Sequence, residues 1–170
     1  MNHSVRDLPW LAPAPDDIRE RIRGLANNLK PGADIQVLAS YRLEPQQAAN
    51  LGKQIAKARD DKRPLLPLSG FKLGVLASTT FDLLAEQIPA AAARHGVTAE
   101  LFLCDYAQVM QAALDPNSAI VRARPDAVLV AVDHHWLGLD HDLGDAASRL
   151  SAGLTQLRAV VEGIKQNAGA

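Results

Sequence analysis

The sequence predicts an α/β protein built on a small parallel β-sheet that helices cover on both faces. Three short apolar runs predict the strands, at residues 72–77, 99–103 and 127–132. Segments with helical spacing separate these runs, and such alternation is typical of a parallel sheet that is buried on both sides. Because crossover connections are right-handed, the first strand should lie in the middle, so the predicted strand order is second, first, third.

The predicted α/β unit is a small three-layer sheet of the Rossmann or flavodoxin type, preceded by an N-terminal helical segment. Two prolines and several charges between Asp60 and Ser69 are typical of a linker. We therefore expect residues 1–62 to form a helical lead-in that packs on the core, and residues 63–170 to form the α/β domain. Helices of the lead-in are predicted at residues 16–29, 35–43 and 45–58.

The α/β part should contain three further helices. The first is expected over residues 81–95, where Pro89 should kink or break it, and the second over residues 106–114. The last is expected over residues 145–166. Its apolar stripe is Leu150, Leu154, Leu157, Val161 and Ile164. A parallel sheet usually continues after such a helix, so two interpretations stay open: a complete small domain, or the N-terminal part of a longer protein.

Composition excludes several classes of function. Of the 170 residues 48% are hydrophobic, which indicates a folded globular chain. The net charge is −1 and no basic stripe is present, which argues against nucleic-acid binding. No apolar run approaches the roughly 20 residues that span a membrane, and the N-terminus lacks the apolar core of a signal peptide. A single cysteine fits the reducing cytoplasm, where we expect the protein to be located.

Polar residues follow each predicted strand. Ser78, Thr79 and Thr80 follow the first, Cys104, Asp105 and Tyr106 the second, and Asp133, His134 and His135 the third. The carboxyl ends of parallel strands meet at one edge of a sheet, and ligands of such folds bind there. The sequence therefore predicts the place of a site at this edge without defining what it binds.

Six ordered segments carry a resemblance to a known family. They resemble the N-terminal region of FkbH-like proteins, which are multidomain bacterial proteins of the haloacid dehalogenase superfamily. The family tends to have an aromatic-Gly-Gln segment where this chain has Tyr106-Ala107-Gln108, and a Leu-Asp-Pro-x-Ser segment at Leu114–Ser118. The six segments are residues 8–11, 41–43, 76–80, 105–109, 113–118 and 125–133.

The resemblance implies an SGNH-hydrolase-like α/β domain that a phosphatase-like domain follows in the family. Some members load a glyceryl unit onto an acyl carrier protein in polyketide-type biosynthesis. Phosphatase chemistry of this superfamily needs an Asp-x-Asp pair after a buried strand. Asp140-His141-Asp142 has the spacing but does not follow such a strand. We therefore expect a domain without activity of its own, without a cofactor or metal. It would dock to the phosphatase-like domain, a carrier protein or another copy of itself.

Two other functions stay open. Ser78 occupies the place of an SGNH nucleophile, so the chain would be a small serine esterase with His134 or His135 as the base. The Gly-Asp-Ser context and a late Asp-x-x-His pair are missing, which favours capping of the next helix by Ser78. Alternatively, the amides of Ser78, Thr79 and Thr80 at a helix start would bind a phosphorylated small molecule.

The remaining candidate residues have a functional and a structural interpretation. Asp105, Tyr106 and Gln108 would line the cleft or only fix a turn, and Cys104 would be a reactive thiol or a small buried side chain. Asp133, His135 and Gly138 match a short cobalamin-binding pattern that lacks its downstream context. Adjacent histidines on an extended segment point to opposite sides, so a solvated loop is favoured over a metal site.

The third strand predicts self-association. Val128, Leu129, Val130 and Val132 would form an apolar sheet edge if no further strand follows. An open edge pairs readily with another chain, so a symmetric dimer is expected. The alternative is that the N-terminal helices cover this edge.

Overall fold

The computed structural model of the protein describes residues 10–139 and 146–168 and shows a mixed α/β fold. The chain divides into two compact units: one comprises the residues up to Gly70 with Asp82–Glu100, the other Phe71–Phe81 with the residues from Leu101 onward. The strands are β1 (Ala12–Pro13), β2 (Tyr41–Arg42), β3 (Ser69–Ala77), β4 (Val97–Leu103) and β5 (Ala127–Ala131). The helices are α1 (Ile18–Gly24), α2 (Gly32–Ala39), α3 (Pro45–Asp60), α4 (Asp82–Ala85), α5 (Ile88–Arg94), α6 (Val109–Leu114), α7 (Ala119–Ala123) and α8 (Ala146–Ala168).

The first unit is a helical cluster around one apolar core. Helix α3 begins where the sequence places Pro45 in the first turn, and the Gln47 side chain accepts the N–H of Glu44 at 2.9 Å. Helix α5 packs against α2 and α3, so part of the segment after β3 groups with the N-terminal helices. Buried side chains of the core include Ile18, Ile22, Leu25, Ile35, Leu38, Leu51 and Ile55. The proposed boundary after residue 62 stays a prediction.

Arg63 fixes the end of the first helical segment. Its side chain is only 11% exposed, and Nη1 donates to the carbonyls of Leu25 at 2.7 Å and Asn28 at 2.9 Å. The Leu25 carbonyl also accepts the Asn28 N–H at 3.2 Å, so Arg63 gives it a second donor, and a cation at a helix end is favourable. A residue expected in a solvated linker is therefore a structural anchor.

The parallel sheet confirms the predicted fold class and strand order. Strand β3 pairs in parallel with β5, from Leu73 opposite Ala127 to Ala77 opposite Ala131. Strand β4 lies on the other side of β3, where the Cys104 N–H donates to the Val75 carbonyl at 3.0 Å. The order β4-β3-β5 is the expected second, first, third.

Helices α6, α7 and α8 pack together in the second unit. Their core contains Leu76, Val109, Ala113, Ile120, Val160 and Ile164. Gly163 lets α8 approach α6 closely, because a Cβ atom at this position would lie only 2.9 Å from the Ala113 carbonyl oxygen. The predicted stripe of α8 is therefore wrong in part. Leu150 and Leu154 are largely exposed, and the helix packs through the adjacent face that carries Gly153, Val160 and Gly163.

Several boundaries differ from the predictions. Tyr41–Arg42 is a short strand paired in parallel with Ala12–Pro13, where the sequence predicted helix to residue 43. The expected break near Pro89 is confirmed, since α4 and α5 are separate helices. Helix α7 was not predicted, although Ser118 caps it by accepting the N–H of Val121 at 3.3 Å. No helix in the described ranges is long and apolar enough to cross a membrane.

Candidate functional site

Ser78 and Asp133 meet at the carboxyl ends of β3 and β5, as the parallel register predicts. The Ser78 N–H donates to the carbonyl of Ala131 at 3.1 Å, which extends the ladder by one bond. The Asp133 N–H donates to Ser78 Oγ at 3.1 Å, and the Ser78 hydroxyl also bonds the Asp133 carboxylate. The serine therefore ties together the ends of two neighbouring strands.

The carboxyl group of Asp133 is held in its ionised form. Trp136 donates its main-chain N–H to Oδ1 at 2.9 Å, and this bond is the largest cause of a lowered pKa. Partial desolvation opposes it, while the Ser78 hydroxyl and the charges of His135 and His134 lower the pKa further. A carboxylate with a lowered pKa accepts protons poorly, so Asp133 is a weak general base for Ser78.

His134 and His135 lie in a turn and not on an extended strand. Two main-chain bonds close the turn, from Leu139 N–H to His134 at 2.8 Å and from Gly138 N–H to His135 at 3.0 Å. The two rings are therefore neighbours, with centroids 4.0 Å apart, and the expectation that they point to opposite sides is wrong. Gly138 allows the turn because its φ is +69°.

The described residues contain no group of three or more His, Cys, Asp or Glu side chains that could hold a metal ion. Asp140, His141 and Asp142, which have the Asp-x-Asp spacing, lie outside the described residues. The predicted start of the last helix at Asp145 lies outside them as well, and α8 is described from Ala146.

Thr79 and Thr80 are exposed residues directly after Ser78. The next helix, α4, begins at Asp82 and has only four residues. Ser78 is therefore not at the N-cap position that the sequence predicted for it. The amides of Ser78, Thr79 and Thr80, on which the phosphate-binding interpretation rests, likewise precede the first helical residue, Asp82.

A pocket of about 230 Å³ lies beyond the end of β4. Cys104, Asp105 and Gln108 line it, which brings together three residues that the sequence singled out at this strand end. Cys104 is half-buried, and its Sγ lies 3.7 Å from the Ala77 carbonyl oxygen. Tyr106 is 73% exposed and is not part of the lining.

Sequence reasoning missed the opposite wall of this pocket, to which Gln111, Asp115 and Ser118 contribute. Asp115 shapes the loop through Oδ1, which accepts the Asn117 N–H at 2.8 Å. The sequence analysis used this segment for the family resemblance and ended a helix before it, yet its Asp-Pro-Asn-Ser sequence is typical of an Asx turn followed by a helix cap. This turn pattern was the sequence signal from which the second part of the pocket lining could have been predicted.

Ala107 lies between the two polar residues Asp105 and Gln108 with a φ of +59°. An alanine in the left-handed region is strained, because its Cβ approaches the following carbonyl group. The sequence comparison with the family expected glycine at this position. The backbone conformation explains that preference in physical terms.

Fold and site together define a small α/β domain whose polar residues collect at the carboxyl edge of a parallel sheet. The model of the family described as "FkbH, N-terminal domain" matches residues 72–167, more than half of the chain. The protein therefore belongs to the FkbH N-terminal domain family, as the resemblance implied.

One solved structure with a similar fold is the N-terminal part of the protein BF1531 from Bacteroides fragilis, described as containing a phosphatase domain complexed with Mg. The identity is 24% and the TM-score 0.50, and the match covers 65% of this chain and 30% of that chain. The chain thus spans less than a third of that structure, and the likeness concerns the fold alone. No curated protein matches the chain.

Proposed function

We propose that this chain is a docking domain of an FkbH-type protein and has no turnover alone. In this proposal it supports a glyceryl- or acyl-loading enzyme of polyketide-type biosynthesis in the cytoplasm. Its partners are a phosphatase-like domain of the haloacid dehalogenase superfamily or an acyl carrier protein. The SGNH-like character of the α/β unit belongs to the same proposal, and membership of the family supports it.

The observation that carries the proposal is the hydrogen bonding of Ser78. A nucleophilic serine needs a base that can remove its proton. Here the hydroxyl accepts the N–H of Asp133 and bonds a carboxylate whose pKa is lowered. Such a pair is suited to joining strand ends and poorly suited to activating a hydroxyl group.

The experiment has a catalytic arm and a binding arm. The purified chain is incubated with p-nitrophenyl acetate and with p-nitrophenyl phosphate, beside the Ser78→Ala and Asp133→Asn variants. Equal rates for all three proteins are expected. In the binding arm, an acyl carrier protein labelled with ¹⁵N is titrated with the chain, and localised shift changes are expected. Turnover that one substitution abolishes would show that the domain is an enzyme, and absence of shift changes would exclude the carrier protein as partner.

A serine esterase is the second candidate, because Asp133 forms a hydrogen bond with Ser78 and interacts electrostatically with His134 and His135. In a serine hydrolase the imidazole stands between the hydroxyl and the carboxylate. A catalytic role would thus require an imidazole to replace Asp133 at the Ser78 hydroxyl. A rate on p-nitrophenyl acetate that is lost in both Ser78→Ala and a His134→Asn/His135→Asn double variant would establish this alternative.

A further inference from the structure

A groove of about 330 Å³ in the first unit has the chemistry of an anion site. Arg19 and Arg23 of α1 and Lys53 of α3 line it, together with the amides of Asn50 and Gln54. Among the residues that the structure describes, no carboxylate belongs to the lining. The volume lies at the lower end of the range of small-molecule sites, which is about 300–1,000 Å³.

The two arginines lie on one face of α1. They are four residues apart, a spacing at which like charges repel and destabilise a helix. Among the described residues neither guanidinium has an ion pair or a hydrogen bond. Arg21 on the same short helix shows the contrast, because its Nε bonds both carboxylate oxygens of Asp17 at 2.9 Å. The helix therefore neutralises one arginine and leaves two at the groove.

Lys53 adds a third positive charge with only a weak partner. Its Nζ lies 3.8 Å from Glu86 Oε1, and both side chains are more than half exposed. Pairs of this kind contribute little and are screened by salt. An anion in the groove can therefore compete with Glu86 for Lys53.

One side chain of the lining, Gln54, carries an unsatisfied acceptor that is buried in its present rotamer. Gln54 Oε1 is buried without a hydrogen-bond partner among the described residues. The terminal torsion of glutamine is soft, so the amide can turn its oxygen or its nitrogen toward the groove. A ligand hydroxyl group would provide the donor that this oxygen lacks.

We propose that the groove between α1 and α3 binds a small hydroxylated phosphate monoester. Arginine forks match phosphate oxygens in pairs, and lysine adds a point charge, so the three cations suit a dianion. The hydroxyl groups would bond the amides of Asn50 and Gln54. This site is separate from the strand ends, and the proposal is independent of the docking function.

Isothermal titration with inorganic phosphate, glucose 6-phosphate and glucose tests the proposal on the full chain. We expect glucose 6-phosphate to bind more tightly than inorganic phosphate, and glucose not to bind. The Arg19→Gln/Arg23→Gln variant should raise the Kd for glucose 6-phosphate at least about tenfold, because it removes charge-assisted hydrogen bonds. Gln54→Met should weaken glucose 6-phosphate and leave inorganic phosphate unchanged.

Arg158→Gln on the exposed face of α8 is the matched control, since it removes an arginine charge outside the groove. It should leave every Kd within about twofold, as expected for an exposed and screened charge that does not line the groove. Thermal unfolding without ligand confirms that the variants fold, and loss of the repelling pair should not lower their Tm. Equal affinities of the double variant and the wild type, or absence of binding by both phosphates, would overturn the proposal.

Discussion

Replacing Ser78 by alanine separates the structural role of this residue from a catalytic one. The substitution removes the acceptor of the Asp133 N–H and the donor to its carboxylate. One neutral hydrogen bond contributes about 1 kcal/mol, and an unsatisfied group left behind adds to that loss. Because Asp133 is in contact with water, the carboxylate recovers part of its hydrogen bonding. We expect a loss of about 1–2 kcal/mol in the free energy of unfolding.

Chemical denaturation measures this loss, and for a chain of this length the Tm should fall by about 2–4 °C per kcal/mol. Thr79→Ala is the control, because Thr79 is exposed and should change stability by less than about 0.5 kcal/mol. Hydrolysis of p-nitrophenyl acetate should be the same in all three proteins. A Ser78→Ala variant with full stability and lost turnover would refute the reasoning.

Four further results are expected. Ala107→Gly should stabilise the protein by about 0.5–1 kcal/mol in urea unfolding, since glycine adopts the φ of +59° without strain; a destabilised variant would contradict this. Arg63→Met should cost about 1–2 kcal/mol, since it removes the donor to the Leu25 and Asn28 carbonyls while the Leu25 carbonyl keeps the Asn28 N–H, whereas exposed Lys57→Met should cost little. Ionised Asp133 stabilises the fold because its pKa is lowered, and this stabilisation is complete above the ordinary aspartate pKa of about 3.9 and decreases as the pH falls below it. Asp133→Asn should therefore reduce the dependence of the free energy of unfolding on pH in the acidic range, and an unchanged dependence would argue against this role. Light scattering should show a dimer that Leu129→Lys dissociates, because β5 is an edge strand of the described sheet and Leu129 is 40% exposed; a monomer mass at all concentrations would exclude this edge as an interface.

The sheet was predictable because its signals are local and strong. Short and largely apolar runs within β3, β4 and β5 indicate buried parallel strands, and the handedness of crossovers then determines their order. The meeting of Ser78 and Asp133 follows from that order alone. The pairing of their atoms does not, because hydrogen-bond geometry depends on the exact ends of two strands that are distant in sequence.

The helices show what periodicity misses. In α8 the leucines suggested one packing face, whereas the helix packs through an adjacent face on which two glycines allow backbone contact. Small residues carry almost no weight in an apolar pattern, although they decide how closely two helices approach. Likewise, Arg63 lies in a segment with the composition of a linker. Its role is visible only in the structure, where its side chain donates to the Leu25 carbonyl, which is distant in sequence.

Only one part of the lining of the pocket beyond β4 was predicted from the sequence. Cys104, Asp105 and Gln108 follow a strand and were found by position. Gln111 and Asp115 come from the next helix and its terminal turn, where the same residue types usually serve capping and solubility. The groove with Arg19 and Arg23 was not found from the sequence, because it forms between two helices and depends on how they pack, although the four-residue spacing of Asp17 and Arg21 indicates their ion pair.

Gly153 has no functional group, yet the geometry of the candidate site depends on it. A Cβ atom there would lie 2.9 Å from the carbonyl oxygen of Leu137, which belongs to the turn that carries His134 and His135. Ten residues further along the same helix, roughly 15 Å by its rise, Gly163 rests on the Ala113 carbonyl. Helix α8 therefore approaches two main-chain carbonyl groups at its glycines, one in the turn and one in α6. A side chain at Gly153 would therefore displace the turn that carries His134 and His135, although no polar residue of the site had been replaced.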